Sequence, residues 1–483
     1  MNIMNYFLQT FGCQMNYADS EKINMVLLQS GFKKVSSLKD ADLVIFNTCS
    51  VRKKGEDKVF GMINDLRKEE KITGKKMIIG ISGCMVRKTG LNQKLYDFKG
   101  DREATKNIEF LDSNESVLNS DDKIFGRTDK IDFVFRIEEI NFLTKLLSII
   151  FKKDIGNDEK FNEYLQIRQY QENVGSANVI IQTGCDNFCT YCIVPHTRGR
   201  EKSREKIDIL DEIREVAVNG TKEVYLIGQN VNSYGKEFNA KLWNMGELRW
   251  NPKSTITPFR ELLNEVNKID GIDRIRFTSS NPHDMTKDIL DSHFELDKTC
   301  NYLHFALQSG DNDILKSMNR KHTYEDFKAQ VEYLRSKDPL FSISTDIIVG
   351  FPGETEEQFQ NTVNAFKELE FDFAFIARYS ERSGTIAATN FKDNVSSQEK
   401  ARRWHILNLL LAESVEKRSK PMIGRTEEIL ISGVGKSGNF YGRTRNFKEV
   451  SFPSDDDSLK IGDMVNVTIE KLDGWIFRGT ISR

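Results

Sequence analysis

From Asn178 onward the chain repeats one unit: a short apolar run of strand character, a turn, and an amphipathic helix pattern. Strands are predicted at NVIIQT (Asn178 to Thr183), EVYLIG (Glu223 to Gly228), DRIRFTSS (Asp273 to Ser280), YLHFALQ (Tyr302 to Gln308), SISTDIIVG (Ser342 to Gly350) and DFAFIARYS (Asp372 to Ser380). Helix patterns such as Ile207 to Val218 and Thr355 to Leu369 separate them. Strands that alternate with helices pair in parallel through crossovers, so six such units make a partial (β/α)6 barrel with its chemistry at the carboxyl ends of the strands. The fold class is α/β. One long excursion of mixed polarity, Asn232 to Thr255, interrupts the alternation.

The N-terminal part alternates in the same way. YFLQTF (Tyr6 to Phe11) runs into Gly12 and Cys13, DLVIFN (Asp42 to Asn47) into Thr48 and Cys49, and MIIGIS (Met77 to Ser82) into Gly83 and Cys84; helix patterns follow at Ala18 to Ser30 and Gly55 to Lys71. In an open α/β sheet each of these cysteines emerges at the carboxyl edge, where such sheets place their ligands. After Pro421 the chain turns to short strands with glycine turns (TEEILIS, NFYGRTR, EVSF, MVNVTIE, WIFRGTIS), the pattern of a small β-barrel, and this stretch resembles a TRAM domain. The length of 483 residues fits about three domains. The expected division is an N-terminal α/β domain over 1–120, an elaborated linker over 121–176 with a helix-like piece at Phe142 to Phe151, a barrel over 177–420, and the small barrel over 421–483.

With 70 Lys+Arg against 72 Asp+Glu, the chain is no globally basic nucleic-acid coat, although a local basic groove stays compatible with that balance. Arg443 and Arg445 beside Phe440, Tyr441 and Phe447 are the expected RNA patch of the small barrel, where stacking and phosphate contacts would lie together. The N-terminus has no secretory pattern, and the most apolar stretch falls far short of the ~20 residues that cross a bilayer, so a cytoplasmic protein without a membrane segment is expected. Seven cysteines in such a chain point to metal binding or catalysis before disulfides.

The densest signal is GCDNFCTYC, which sets Cys185, Cys189 and Cys192 as CxxxCxxC directly after a strand. Three thiolates on a 4Fe-4S cube leave one iron open to a small molecule. A Cys3His zinc site with His196 as fourth ligand is the competing assignment, and it would make the chain a zinc-stabilised RNA-binding protein without catalysis. Gln308, Ser309, Asp346 and Arg378 lie near strand ends, where substrate or nucleoside contacts would fall. Arg198, Arg200, Lys202, Arg204 and Lys206 follow the cysteines as a run suited to positioning phosphates. Cys300 has no partner spacing and reads as a structural thiol.

CxxxCxxC after the first strand of a βα barrel resembles the radical S-adenosylmethionine superfamily. The resemblance implies that S-adenosyl-L-methionine chelates the open iron of a cluster on Cys185, Cys189 and Cys192 and is cleaved reductively there. It also implies that Tyr191 packs near the adenine and that Gly228 and Gln229 run close to the methionine amino group; Ser309, Asp346 and Arg378 complete the expected cofactor-binding set. Together with Cys13, Cys49, Cys84 and the small barrel, the layout is similar to the methylthiotransferases over nearly the whole chain. FGCQMN (Phe11 to Asn16), NTCSVR (Asn47 to Arg52) and GCDNFCTYCIVPHTRGRE (Gly184 to Glu201) are close to the branch that acts on tRNA. That likeness implies a second, auxiliary 4Fe-4S cluster on Cys13, Cys49 and Cys84 that carries the sulfur, and a tRNA substrate whose N(6)-dimethylallyladenosine next to the anticodon is methylthiolated at carbon 2. An electron donor such as a flavodoxin or ferredoxin and a monomeric enzyme go with it. Methylthiolation of threonylcarbamoyl-adenosine, or of a ribosomal-protein aspartate, is the alternative within the family; Gln14-Met15-Asn16 and Ser50-Val51-Arg52 argue against both.

Overall fold

The computed structural model describes the chain except for residues 1–3, 50–52, 87–95, 99–127, 129, 156–162, 171–174, 240–255, 457 and 483. Most of the expected excursion, the Asn114 to Asp122 piece of the expected linker, and Ser50-Val51-Arg52 lie outside the described residues. The chain forms two compact units, one of Met1–Glu172, Thr183–Asp186 and Cys192–Glu201, the other of Asn173–Gln182, Asn187–Tyr191 and Lys202–Arg483.

In the first unit, β1 (Asn5–Thr10), α1 (Gln14–Gln29), β2 (Lys33–Lys34), β3 (Leu43–Thr48), α2 (Lys53–Thr73) and β4 (Ile78–Gly83) follow in order. They are joined by β5 (Tyr96–Phe98) and β6 (Phe133–Phe135) in a sheet of order β2-β1-β3-β4-β6-β5. Val59, Ile63 and Leu66, spaced at helical period on α2, meet Val44, Phe46, Ile79 and Ile81 from the strands in one buried core. The order reverses between β1 and β3, the place where an open α/β sheet leaves a crevice beyond its strand ends.

The structure corrects the expected linker. Phe133 to Phe135 are buried and pair in parallel with β4, and α3 (Leu143–Phe151) reaches the core edge, with the Phe151 ring 6.2 Å from that of Phe32. A strand of only three residues gives no alternation to read, yet its three apolar side chains have nowhere else to be buried.

In the second unit, β7 (Ser176–Ile180), β10 (Glu223–Ile227) and β11 (Arg274–Phe277) form one parallel sheet, and β12 (Tyr302–His304), β13 (Ser342–Val349) and β14 (Phe373–Arg378) another. Parallel bridges Ile275 to Thr299 and Ser280 to Phe305 join them into one six-stranded open barrel. Two short strands, β8 (Gln182–Thr183) and β9 (Lys202–Ser203), flank the segment that carries CxxxCxxC. Strand pleating sends Leu226, Ile275, Leu303 and Ile347 outward into the helix layer and Glu223, Arg276, Tyr302 and Asp346 inward.

The C-terminal strands β15 (Thr426–Val434), β16 (Phe440–Arg443), β17 (Glu449–Phe452), β18 (Met464–Asp473) and β19 (Ile476–Ile481) close into a barrel of order β15-β16-β17-β19-β18. The β16–β17 turn is spent on the larger barrel. Arg274 donates to the carbonyls of Arg443 and Glu428 at 2.7 Å each, and Arg276 to those of Thr444 (2.7 Å) and Arg445 (2.8 Å). Phe447 stacks on Tyr302 with ring centroids 4.2 Å apart, under the Arg443 guanidinium, while Arg445 donates to the Asp297 carbonyl at 2.6 Å. Asp372 joins Lys448 at 2.8 Å; burial alone would drive its carboxyl up, but Lys448, Arg418 and Arg335 hold it below the ordinary value. Arg443, Arg445 and Phe447 are therefore glue between the two barrels and not the RNA patch expected of them. Among the large aromatics that stay exposed nearby are Tyr441, Trp475, Phe373 and Phe375.

Candidate functional site

Cys13, Cys49 and Cys84 follow the adjacent strands β1, β3 and β4, and asparagines in the first two motifs lock that edge. Asn16 donates to the Thr48 carbonyl at 3.1 Å and its Oδ1 accepts from the Cys13 amide at 3.3 Å. Asn47 donates to the Asn16 carbonyl at 2.7 Å and to Ser20 Oγ at 2.9 Å. The Cys84 amide then bonds the Thr48 carbonyl at 2.7 Å. Gly12 has φ +140°, and a Cβ there would lie 2.8 Å from the Cys49 Cβ, so only glycine lets the first two cysteine loops approach this closely. Cys13 caps α1, which aims the partial positive charge of a helix start at its thiol. Asn16 and Asn47 escaped notice as site residues in the sequence because nothing there pairs them.

Below Cys84 lies a buried charged network. Arg198 forms an ion pair with Asp19, both essentially without solvent exposure, and Tyr164 donates to Asp19 at 2.6 Å. Burial pushes the Cys84 thiol up, while the Arg198 guanidinium beside it pulls down. Two residues of the basic run after the cysteines are thus consumed internally, Arg198 by Asp19 and Arg204 by Glu212 at 2.5 Å with both side chains buried, whereas Arg200, paired with Asp186 at 2.7 Å, Lys202 and Lys206 stay exposed. Asp19→Ala strands Arg198 in the interior and is expected to cost about 3–5 kcal/mol, read as a lowered unfolding midpoint in denaturant.

The CxxxCxxC loop is held at several points. The Cys185 amide bonds the Gly199 carbonyl at 3.3 Å, and Thr190 bonds Ser317 and Met318 carbonyls at 3.0 Å each. Arg320 reaches Cys189 Sγ at 3.5 Å. Tyr191 packs on a cluster that includes Met318, Phe351 and Tyr379. His196 is solvent-exposed on α4 (Val194–Arg198). None of the seven cysteines is in a disulfide.

At the carboxyl ends of the barrel strands, polar atoms are buried without partners among the described residues: Gln182 Oε1, Gln229 Oε1, Asn230 Oδ1, Ser280 Oγ and Gln308 Oε1. Each such atom costs free energy unless an ordered water or a polar ligand meets it. Gln308 also sits in the left-handed region at φ +76°. Gly228 stands where a Cβ would press on the Gln182 carbonyl at 3.2 Å. Asp346 accepts from His304 at 3.1 Å inside the barrel, and Arg378 is exposed at the end of β14. Ser309 departs from the expected set: it is fully buried, close to Thr362 on the helix layer and bonded by the Asp311 amide. Nothing in the sequence marks Asn230 or Arg320: a polar residue after a strand, such as Asn230, is ordinary until its unpartnered Oδ1 is seen, and Arg320, which follows a helix, meets Cys189 only in the fold.

The donor sets suit the cofactors that such a fold implies. Two groups of three thiols, one on a strand-end edge and one within a single short loop, match clusters with one open iron each, and the unpartnered amides and hydroxyl at the barrel strand ends match a polar ligand. Among the described residues no three His, Cys, Asp or Glu side chains are already gathered to hold a metal ion; the fold fixes the backbone that carries the thiols.

Family models match three stretches: the radical SAM superfamily over residues 179–366, the uncharacterized protein family UPF0004 over 5–101, and the TRAM domain over 420–481. Among solved structures, the radical S-adenosylmethionine methyltransferase TsrM from Kitasatospora setae is similar in fold, with a TM-score of 0.51 at 13% identity, covering 80% of this chain and 74% of that one. Fold and models together define a radical S-adenosylmethionine enzyme with 4Fe-4S clusters. Curated relatives narrow the class. A tRNA-2-methylthio-N(6)-dimethylallyladenosine synthase of Clostridium botulinum is 38% identical over 99% of this chain and 97% of its own, and one of Thermoanaerobacter sp. is 36% identical over 99% and 92%. The chain belongs to the family of the tRNA-2-methylthio-N(6)-dimethylallyladenosine synthases. Neither the zinc-stabilised binding module nor the other methylthiolation substrates are favoured by these relatives.

Proposed function

We propose that this enzyme methylthiolates carbon 2 of N(6)-dimethylallyladenosine next to the anticodon in tRNA, using two 4Fe-4S clusters. Cys185, Cys189 and Cys192 would hold the cluster that binds S-adenosylmethionine, and Cys13, Cys49 and Cys84 the auxiliary one. The observation that carries this reading is the second set of three thiols, set on adjacent strand ends by Asn16 and Asn47, in a chain that already has CxxxCxxC. When bound, these cofactors supply the one-electron cleavage that an unactivated aromatic C–H requires.

The chain's own residues bind and orient. Gln229, Asn230, Ser280 and Gln308 offer acceptors to the amino and hydroxyl groups of S-adenosylmethionine, and Gly228 keeps the backbone low enough for the ligand to approach. Tyr191 gives the adenine an apolar wall, while Asp346, fixed by His304, and Arg378 face the nucleoside. Ser309 serves the loop that carries Gln308 and not the ligand. The exposed rings of Trp475, Phe373 and Phe375, with centroids 6.1 and 4.8 Å apart in sequence, suit stacking on RNA bases. A one-electron donor such as a flavodoxin or ferredoxin, a monomeric enzyme and a cytoplasmic location complete the reading; no helix among the described residues is long and apolar enough to cross a membrane.

Cys185→Ala, Cys189→Ala and Cys192→Ala are each expected to abolish formation of 5′-deoxyadenosine from S-adenosylmethionine, because a lost thiolate leaves the cluster labile. Liquid chromatography of the nucleoside products checks this, and a normal yield from any one variant refutes the assignment.

A further inference from the structure

Arg320 stands three residues beyond the end of a short helix, α5 (Asn312–Ser317), in a turn built to aim it. Asn319 is left-handed at φ +56°, and the Arg320 amide closes back on the Leu315 carbonyl at 2.8 Å. The guanidinium is then fixed by a bond to the Ala306 carbonyl at 2.7 Å, which leaves its other arm 3.5 Å from Cys189 Sγ. Its Nε is shut off from solvent and has no acceptor among the described residues.

The same turn grips the cysteine loop. Asn319 donates to the carbonyls of Asn187 (3.2 Å) and Phe188 (3.0 Å), and Thr190 is bonded to Ser317 and Met318. Phe188 is itself left-handed at φ +47°, a conformation that costs a bulky residue free energy and is held here by the Asn319 bond. The turn thus sets the position of one thiol and of one cation against it at the same time.

We propose that Arg320 is a positioning residue for the radical-generating cluster, holding the Cys189 thiolate by a charge-assisted hydrogen bond and favouring the reduced state of the cluster. This rests on the reading that Cys185, Cys189 and Cys192 ligate that cluster. Reduction adds a negative charge to an already anionic set of ligands, and a fixed cation at one thiolate favours that state. Arginine suits the task because its planar fork serves the Ala306 carbonyl and the sulfur at once, which a lysine cannot do in the same geometry.

The test is a reductive titration followed by electron paramagnetic resonance on reconstituted enzyme in which Cys13, Cys49 and Cys84 are alanine, so that one cluster is observed. Iron analysis of this parent comes first: about four irons per chain upholds the assignment of the cysteine sets, and none faults that assignment and not Arg320. Arg320→Gln in this background is expected to lower the reduced-to-oxidised ratio at a fixed potential about tenfold, a midpoint about 59 mV more negative for one electron. Arg320→Lys, which keeps the charge, is expected to restore most of that difference. An unchanged midpoint in Arg320→Gln overturns the proposal. If Arg320→Gln retains no iron, Arg320→Lys decides: full iron at the parent's midpoint supports the role of the charge, and loss of iron there too reduces Arg320 to a packing support.

Discussion

Enzyme in which Cys13, Cys49 and Cys84 are all replaced by alanine is expected to keep about four irons per chain and to form 5′-deoxyadenosine, yet to put no methylthio group on tRNA. The edge that carries these cysteines does not depend on their sulfurs. Asn16 and Asn47 bind it through backbone carbonyls, Thr48 donates to the Ser82 carbonyl at 2.7 Å, and Asp19 keeps Arg198 paired whether or not a thiol lies beside it. Of the three, only Cys84 is buried, and removing one buried sulfur costs no more than a few kcal/mol. The variant should therefore fold, and its loss of product would be chemical. Mass spectrometry of nucleosides from dimethylallyl-modified tRNA, read beside iron content, makes the comparison; full 2-methylthio product from the triple variant would rule out a sulfur-carrying cluster on this edge.

The sequence made the cysteines legible because their chemistry is tied to local pattern: each follows an apolar run, and period and position alone place it at a strand end. The partners that hold those thiols were not legible, since Asn16 meets Asn47, and Arg320 meets Cys189, only after strands distant in the chain are laid side by side. Charge was misread for the same reason. Arg198 and Arg204 look like a solvent-facing basic run, but each has a buried carboxylate waiting, Asp19 and Glu212. Arg443, Arg445 and Phe447 look like an RNA-binding patch because cations beside an aromatic ring satisfy the same description whether the surface opposite is a nucleic acid or the end of a barrel. What distinguishes the two is Tyr302 and the inward arginines of β11, which a reading of the small barrel alone does not reach.

Arg276 is where that joint is most sensitive. Its side chain is fully buried and serves three acceptors, Glu223 at 2.6 Å and the carbonyls of Thr444 and Arg445. Arg276→Met would leave Glu223, itself buried, as an unpaired charge beside two unsatisfied carbonyls, and is expected to cost about 3–5 kcal/mol. Because the chain has several domains, the loss should appear as an earlier, separate transition in a thermal scan and as faster proteolysis near residue 422, more than as a shift of one cooperative midpoint. Glu223→Gln added to Arg276→Met removes the stranded charge and should recover most of the deficit, leaving the part due to the carbonyls of the β16–β17 turn. If Arg276→Met melts and is cleaved like the parent, the arginine does not hold the barrels together. The same geometry governs how any part of the small barrel in tRNA binding must be probed: cutting away residues 422–483 uncovers Arg274, Arg276 and Tyr302 at once, so failure of a truncated enzyme on tRNA would also follow from the bared end of its larger barrel.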